Sequence, residues 1–376
     1  MGECVQMSKK RILVLSDMDF RGSGYFYFMS SLLSRMGDYD IKVLGLGYDG
    51  REHNYDFSVT RVNDYQDATV IARQIIGIWK PDIFICAADI PIQMEIQKQL
   101  RATKIKYLAI TPLENPPLTM SWAAELMMMD WVYFISEVGK NAAIEAGLTN
   151  VGRLDMGLDK TIYYPAVVEE RKEIRKKLGF SDDEFVILTV ADNQERKNLW
   201  ASLSIVSKLK KLGRKVKYVL VTKEHSQVGH KLRDLCVSLE INKETLIIER
   251  GIPTNMLRSL YCGADLYLST AKAEGLCIPI LESMGCGTQI AGTDTGAIHE
   301  LLEDGRGVLL PVEYEFIDVW GNEVRSMVDI EKSANIISGM IGGNFTYREK
   351  SLLYIQNHDD NLPARILSAK IEELCK

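Results

Sequence analysis

The sequence predicts an α/β protein made of two doubly wound, Rossmann-like domains. Residues 11–16 and 184–190 are apolar almost throughout, which is typical of strands buried on both faces of a parallel sheet. Each run leads into a loop and an amphipathic helix, the order of elements that builds parallel sheets. A single hydrophobic core rarely extends over 376 residues, so two domains are expected.

A composition break marks the boundary between these domains. Tyr164 and the charged run E-E-R-K-E-I-R-K-K-L that follows it separate two stretches of α/β pattern. The first domain then covers residues 1–168 and the second covers 169–344, with its last strand predicted at 308–310. The C-terminal tail, 345–376, contains a further predicted helix.

Composition excludes several classes of function. The net charge of −6 gives no reason to expect a nucleic-acid partner. The seven cysteines are scattered without metal-ligand spacing, and their odd number favours reduced thiols in a cytoplasmic compartment. We expect no secretory leader and no membrane span, so any membrane association would be peripheral.

A strand is predicted at residues 264–268, and residues 269–300 after it predict a loop, a short helix and a further strand at 289–291. Pro279 suits the first turn of that helix, because its fixed φ is helical and it lacks the N–H that a first turn leaves unpaired. The amides of Gly275, Leu276 and Cys277 would then point outward at the helix N-terminus, where anions bind. The segment therefore predicts a phosphate site.

Two carboxylates flank these amides. Glu274 precedes the predicted helix and Glu282 lies within it, with seven residues between them. A phosphate on the amides with an acid on each side suggests a ligand that carries hydroxyl groups at both ends of a diphosphate. A nucleotide sugar has that shape.

The same stretch resembles the signature of retaining glycosyltransferases of the GT-B fold, family 4 type, also called glycosyl transferases group 1. The resemblance rests on E-G-L-C-I-P-I-L-E, M-G-C-G-T and G-A-I-H-E. Family positions are matched by Glu274, Gly275, Pro279, Leu281, Glu282, Met284, Cys286, Gly287 and Glu300, whereas Cys277, Ser283 and Gln289 depart from the usual residues. The resemblance covers most of residues 130–310 and implies two domains facing a cleft. It also implies an acceptor side on the first domain, a donor side on the second, and a tail helix that crosses back to the first.

The segment A-D-N-Q-E-R-K resembles the family motif whose Arg and Lys grip the diphosphate. Lys197 occupies the Lys position, but Asp192 occupies the Arg position, where an acid would repel phosphate. Arg196 is the natural replacement, since its planar guanidinium suits phosphate oxygens. The alternative is an ordinary solvated helix start, although two adjacent cations are unfavourable there without an anion.

The nucleotide base is expected at the ends of two strands. Thr222 ends a predicted strand at 216–222, and ligands of open α/β sheets bind at the carboxyl ends of strands. Ile252 and Pro253 lie in a segment that resembles the family's base-contacting region. We expect them to offer apolar contact and backbone groups.

The loop D-M-D-F-R-G-S-G after the first strand has several interpretations. A dinucleotide site would need a glycine where Tyr27 stands, and Asp17 with Asp19 could form a metal-binding pair, although their context is poor. A tight turn that packs a helix on the sheet is a third interpretation. The resemblance favours a fourth, in which Gly22 and Gly24 face the donor phosphates and the acceptor.

Together these features predict a metal-independent retaining hexosyltransferase without a cofactor. Its donor would be a nucleotide sugar of the GDP-mannose or UDP-hexose type, and its acceptor a hydroxyl of a carbohydrate or glycoconjugate. Glu274, Lys197 and Arg196 would act on the reacting sugar and leaving group, and the amides from Gly275 to Ile278 would hold the diphosphate, with Glu282 on the ribose. The alternatives are a nucleotide-sugar epimerase or hydrolase and a dinucleotide-dependent oxidoreductase.

The acceptor side carries one departure from the family. Relatives often have a histidine after the strand predicted at 105–110, but here the loop reads T-P-L-E-N-P-P-L-T. Glu114 could substitute for it, or could be a solvated loop acid.

Overall fold

The computed structural model describes residues 9–21, 23–343 and 347–376. Its strands are β1 Arg11–Asp17, β2 Asp40–Leu46, β3 Ser58–Val62, β4 Ile83–Ala87, β5 Lys106–Thr111, β6 Trp131–Phe134, β7 Val151–Arg153, β8 Phe185–Val190, β9 Val216–Thr222, β10 Thr245–Glu249, β11 Leu266–Ser269, β12 Gln289–Thr293, β13 Val308–Leu310, β14 Val312–Ile317 and β15 Val324–Val328.

Helices connect and cover these strands. They are α1 Gly24–Leu33, α2 Tyr65–Trp79, α3 Ile90–Leu100, α4 Met120–Leu126, α5 Glu137–Glu145, α6 Val168–Leu178, α7 Leu199–Lys211, α8 Leu232–Ser238, α9 Thr254–Gly263, α10 Ile278–Cys286, α11 Gly296–Leu302, α12 Ile330–Met340, α13 Tyr347–Asn357 and α14 Leu362–Leu374. Short 3₁₀ turns lie at Arg101–Thr103, Glu195–Lys197 and Glu303–Gly305.

The first compact unit comprises the chain up to Leu113 together with Leu118–Gly157 and Asp360–Lys376. Its seven-stranded parallel sheet has the order β3-β2-β1-β4-β5-β6-β7, so the chain runs outward from β1 in both directions, as in doubly wound folds. The tail helix α14 belongs to this unit. It buries Leu367 and Ile371, and Tyr39 Oη donates to Glu372 Oε1 over 3.2 Å.

The second compact unit comprises Glu114–Pro117 and Leu158–Asp359. Its six-stranded parallel sheet has the order β10-β9-β8-β11-β12-β13, with β8 at the point where the winding direction changes. Strand β8 pairs in parallel with both β9 and β11. The loops after these strands therefore meet at one edge of the sheet, where ligands of such sheets bind.

Residues 158–168 group with the second unit, although the sequence placed them in the first domain. Arg258 on α9 holds this segment, because its Nε donates to the Tyr164 carbonyl over 3.1 Å and its guanidinium pairs with Glu170 at 2.8 Å. The same guanidinium lies 3.7 Å from the centre of the Tyr164 ring. The change in composition near Tyr164 thus falls inside a unit.

The prediction that 308–310 is the last strand is wrong. An antiparallel hairpin, β14–β15, follows β13 and forms a separate two-stranded sheet. Its first strand, V-E-Y-E-F-I, alternates apolar and acidic residues, which is the pattern of a strand with two different faces.

No helix within the described ranges is long and apolar enough to cross a bilayer.

Candidate functional site

The structure confirms the strand–loop–helix frame predicted from residues 269–300. Strand β11 ends at Ser269, and α10 begins at Ile278 with Pro279 in its first turn. The helix ends at Cys286 and is capped by Gly287, whose φ of 69° is in the left-handed region that glycine adopts without a steric cost. Local sequence therefore sets both ends of α10.

The loop before α10 presents buried amides. Gly275, Leu276 and Cys277 are buried, and no backbone carbonyl of the described residues accepts a hydrogen bond from their N–H groups. Cys277 caps the helix at a φ of 69°, a strained conformation for a residue with a Cβ atom. These donors lie at the positive end of the helix dipole and suit phosphate oxygens.

Glu274 lies at the centre of a buried ion-pair cluster. Its Oε2 is 2.8 Å from Nη1 of Arg196, and its Oε1 pairs with the Lys197 ammonium. Burial alone would raise the pKa of Glu274, but the charges of Lys197 and Arg196 outweigh it and hold the pKa below its ordinary value. Glu274 is thus held as a carboxylate between two cations.

Neighbouring strands bring this cluster together. Arg196 and Lys197 lie in the 3₁₀ turn after β8, and Glu274 follows β11, which is the partner of β8 in the sheet. The backbone N–H of Lys272 donates to the Arg196 carbonyl over 2.9 Å, which fixes one loop against the other. Glu274 therefore meets Lys197 and Arg196 at one sheet edge, although it lies 77 and 78 positions after them in the chain.

Arg196 also contacts a carboxylate that comes from before the second sheet. Its Nε is 2.7 Å from Oε1 of Glu114, and Oε2 of Glu114 is 2.6 Å from Nη1 of Arg325 on β15. The Arg196 guanidinium additionally donates to the Ala273 carbonyl over 2.9 Å. Glu114 is therefore a bridging group between two arginines, and Arg196 is fixed from both sides.

Glu323 lies behind this bridge and is buried. Its Oε1 accepts hydrogen bonds from the backbone amides of Glu114, over 2.9 Å, and Asn115, over 3.2 Å. Arg325 pairs with Glu323 at 3.3 Å and with Asp318. Burial, followed by the nearby Glu114 charge, raises the pKa of Glu323 to about 7.

This pKa predicts a stability that falls as pH rises. The folded carboxyl keeps its proton to about pH 7, whereas the unfolded one loses it near its ordinary pKa of 4.5. The folded state binds more protons between these values, so the free energy of unfolding should decrease by about 2–3 kcal/mol from about pH 5 to about pH 8.

Urea denaturation at both pH values measures this decrease. The Glu323→Gln variant should lack most of it, since its side chain has the same shape and does not titrate. Glu313→Gln, which changes an exposed glutamate of the same hairpin, should follow the wild type. An identical pH dependence in wild type and Glu323→Gln would contradict this assignment.

Glu282 lies on α10 and is also buried, but no cation among the described residues forms an ion pair with it. Its Oε2 accepts a hydrogen bond over 2.6 Å from the hydroxyl of Tyr261, a residue of α9. Burial raises the pKa of Glu282 above its ordinary value, although the hydroxyls of Tyr163 and Tyr261 oppose the rise. The two acids of the motif therefore have opposite electrostatic surroundings.

Asp192 is neutralised within the structure. Its two carboxylate oxygens lie 2.6 and 2.8 Å from Nη1 of Arg250, which follows β10. The charge repulsion that the sequence suggested at this position is thus offset by a cation from the loop after β10, a strand that is separated from β8 by β9.

The residues expected near a nucleotide base lie at adjacent strand ends. Strands β9 and β10 pair in parallel, and the Arg250 amide donates to the Thr222 carbonyl over 3.0 Å. The Thr222 hydroxyl is buried and has no hydrogen-bond partner among the described residues. Ile252 is half-buried and Pro253 is exposed just before α9.

The glycine loop of the first unit is described in part. Gly22 lies outside the described residues, and Gly24 is the first residue of α1. Asp17 accepts a hydrogen bond from the Asp19 amide over 2.8 Å, and Asp19 pairs with Arg21 at 3.0 Å. These contacts are those of a tight turn at the start of a helix.

The second unit thus brings together Glu274, Arg196, Lys197 and the α10 amides, with Glu282 on the same helix. Sequence reasoning did not assign Arg325, Arg250 or Tyr261, and it left Glu114 between two interpretations. Their partners are distant along the chain, so no local pattern indicates them.

Comparison with known families now defines the class of protein. Residues 170–338 match the family described as glycosyl transferases group 1. The chain therefore carries a glycosyl transferases group 1 domain, and its two parallel-sheet units match structures of GT-B glycosyltransferases.

Two curated proteins are similar to part of the chain. Alpha-maltose-1-phosphate synthase of Mycolicibacterium smegmatis is 24% identical over 172 residues, which are 45% of this chain and 43% of that protein. Alpha-monoglucosyldiacylglycerol synthase of Streptococcus pneumoniae is 28% identical over 136 residues, 36% of this chain and 30% of that protein. The chain therefore matches less than half the length of each of these relatives.

Two solved structures are similar over nearly the whole chain. HepE of Anabaena, in complex with UDP and glucose, has a TM-score of 0.76 at 16% identity and covers 97% of this chain and 100% of its own. Sucrose-phosphate synthase of Thermosynechococcus elongatus has a TM-score of 0.80 at 13% identity, and the match covers 97% of this chain and 99% of that one. At such low identity these likenesses establish the fold.

Proposed function

We propose that this protein is a retaining glycosyltransferase that moves a hexosyl unit from a nucleotide sugar to a hydroxyl acceptor. The observation that carries the proposal is the buried Glu274 carboxylate, paired with Arg196 and Lys197 directly before the α10 amides. This arrangement joins cations and N–H donors for a diphosphate with an acid for sugar hydroxyls. The matched relatives are named as synthases of glycosidic products, which supports the same class.

The donor would lie along the edge of the second sheet. Its diphosphate would accept hydrogen bonds from the amides of Gly275 to Ile278 and from Lys197 and Arg196. Glu282 would accept hydrogen bonds from the ribose hydroxyls. The base would lie against Ile252, Pro253 and the end of β9 at Thr222. Glu274 would accept hydrogen bonds from hydroxyls of the hexose.

The reaction breaks the bond between the anomeric carbon and the phosphate oxygen and forms one between that carbon and the acceptor oxygen. The leaving group departs as the nucleoside diphosphate, and Lys197, Arg196 and the amides stabilise its developing charge. The acceptor hydroxyl loses its proton to the departing phosphate oxygen on the same face, so the anomeric configuration is retained. Glu274 is hydrogen-bonded to two cations and serves to position the sugar.

A donor panel tests this function. UDP-glucose, UDP-galactose and GDP-mannose, with UDP and GDP as ligands lacking the sugar, separate the base preference from the sugar preference in calorimetry. We expect one base to bind clearly more tightly, and the corresponding nucleotide sugar to release nucleoside diphosphate slowly in water and faster with a hydroxyl acceptor. Failure of every nucleotide to bind would overturn the proposal.

We expect activity without a divalent cation, because in the proposed function Lys197, Arg196 and the α10 amides would stabilise the charge of the diphosphate. Release of nucleoside diphosphate should change by less than about twofold after EDTA treatment. Adding magnesium or manganese to the treated protein provides the control. Loss of activity with EDTA and its recovery with either metal would contradict this prediction.

The acceptor is proposed to be a carbohydrate or glycoconjugate, and the compartment the cytoplasm. Each of the cysteines Cys86, Cys236, Cys262, Cys277 and Cys286 is a buried free thiol, which is usual for proteins of reducing compartments.

A further inference from the structure

The hairpin β14–β15 exposes aromatic side chains. Tyr314 is 54% exposed and Phe316 is 39% exposed, and their ring centroids are 6.5 Å apart. Two more exposed apolar residues, Val319 and Trp320, lie in the turn between the strands. Such a concentration of apolar surface on one small element is typical of a binding surface.

Tyr314 and Phe316 lie on the face of the hairpin that carries Arg325. Phe316 is directly opposite Arg325 in the antiparallel ladder, and residues paired in this way share one face. Tyr314 is two residues before Phe316 and so points to the same side. Ile317 directly follows Phe316 in the strand and is therefore on the other face.

That face is continuous with the candidate donor site. Arg325 pairs with Glu114, Glu114 pairs with Arg196, and Arg196 pairs with Glu274. The backbone makes a second connection, because the Ser326 amide donates to the Lys272 carbonyl over 2.9 Å. Lys272 Nζ is 5.7 Å from the centre of the Phe316 ring, and Lys272 precedes Glu274 by two residues.

We propose that Tyr314 and Phe316 form the contact surface for a neutral pyranose ring of the acceptor. This inference rests on the proposed function, in which Glu274 marks the sugar end of the donor. The face of an aromatic ring carries partial negative charge, and the C–H groups on one side of a pyranose carry partial positive charge, so the two stack. The surface therefore lies where a sugar receiving the hexosyl unit would extend from Glu274.

The charges of the hairpin support a neutral occupant. On the face of the two rings, Arg325 is neutralised by Glu114 and Asp318, and Lys272, which lies near the Phe316 ring, is paired with Glu195. Because these two cations are already paired, they attract the phosphates of nucleic acids and of anionic lipid headgroups less strongly than free cations would.

The test measures binding of the full chain to immobilised neutral oligosaccharides of glucose, galactose and mannose, with and without UDP or GDP. The double variant Tyr314→Ala/Phe316→Ala should bind at least about tenfold more weakly than wild type. Ile317→Ala removes a comparably exposed apolar side chain from the opposite face and should bind within about twofold of wild type. Phe316→Trp should retain binding, since it keeps an aromatic face.

Nucleotide affinity of the same proteins separates this inference from the proposed function. Unchanged UDP or GDP binding in the double variant shows that the fold and donor site are intact. If no nucleotide binds to the wild type while oligosaccharide binding depends on the two rings, the proposed function fails and the sugar surface stands.

Other outcomes would overturn the inference. In the first, the wild type and the double variant bind the oligosaccharides equally well. In the second, the wild type binds none of them. Vesicles of phosphatidylcholine with phosphatidylglycerol, and sedimentation of the protein alone, test the other occupants. Vesicle binding or self-association that is lost in the double variant would assign the surface to a lipid or to a second copy instead.

Discussion

Glu274→Gln should lower the rate of hexosyl transfer by about 100-fold or more. The substitution keeps the size of the side chain but removes the charge that holds sugar hydroxyls and the cations Arg196 and Lys197 in place. Nucleoside diphosphate binding should persist and could strengthen by up to about tenfold, because less negative charge then neutralises the two cations. The expected result is thus a loss of turnover without a loss of nucleotide affinity.

Calorimetry with the preferred nucleoside diphosphate and a transfer assay with its nucleotide sugar measure the two effects separately. Glu195→Gln is a matched control. Like Glu274, Glu195 is paired with a nearby lysine, in this case Lys272, but its side chain is exposed to solvent. It should leave both quantities within about twofold of wild type. Near-normal transfer by Glu274→Gln would refute the role of this acid.

Glu282→Ala should weaken nucleoside diphosphate binding by about 1.5–3 kcal/mol, or roughly 10- to 150-fold. The proposed ribose contact exists with every nucleotide, with or without an attached sugar, so free UDP or GDP should report it. The Tyr261 hydroxyl that donates to Glu282 would also lose its acceptor inside the protein. Glu282 would then contribute to nucleotide binding, whereas Glu274 would contribute to hexosyl transfer.

A neighbouring substitution controls for disturbance of α10. Ser283→Ala removes a hydroxyl that donates to the Pro279 carbonyl over 2.7 Å, and it should leave nucleotide affinity nearly unchanged. Comparison of Glu282→Ala with Glu274→Gln is the decisive measurement. Equal losses of nucleotide binding in both variants would show that the division of roles between the two acids is wrong.

The sequence predicted those parts of the site that depend on local chemistry. Pro279 and Gly287 have backbone preferences that set the ends of α10 wherever the helix lies. The family resemblance assigned Glu274, Arg196 and Lys197 to one donor site, but it did not predict that they pair with one another. The structure gives the physical reason, because the carboxyl ends of neighbouring parallel strands lie at one sheet edge and bring together residues 77 positions apart.

The remaining contacts depend on tertiary structure. Glu114 reaches its hairpin partners across about half of the chain, and nothing around it in sequence distinguishes it from a solvated loop acid. Arg250 likewise pairs with Asp192 through the packing of loops. The hairpin itself left a readable signal that was missed, since the alternation of V-E-Y-E-F-I and the turn around Gly321-Asn322 are typical of paired strands.

The segment Glu114–Pro117 limits how this protein can be divided. A contiguous fragment cut at residues 170–338 would retain both acids of the motif and the cations, but not Glu114, Asn115 or Leu158. Glu323 would lose the two amides that cover its carboxylate, and Arg196 and Arg325 the carboxylate that joins them. The smallest piece suitable for transplantation or domain exchange is consequently discontinuous in sequence, and chimaeras with related enzymes should carry the 114–117 strip together with the hairpin it supports.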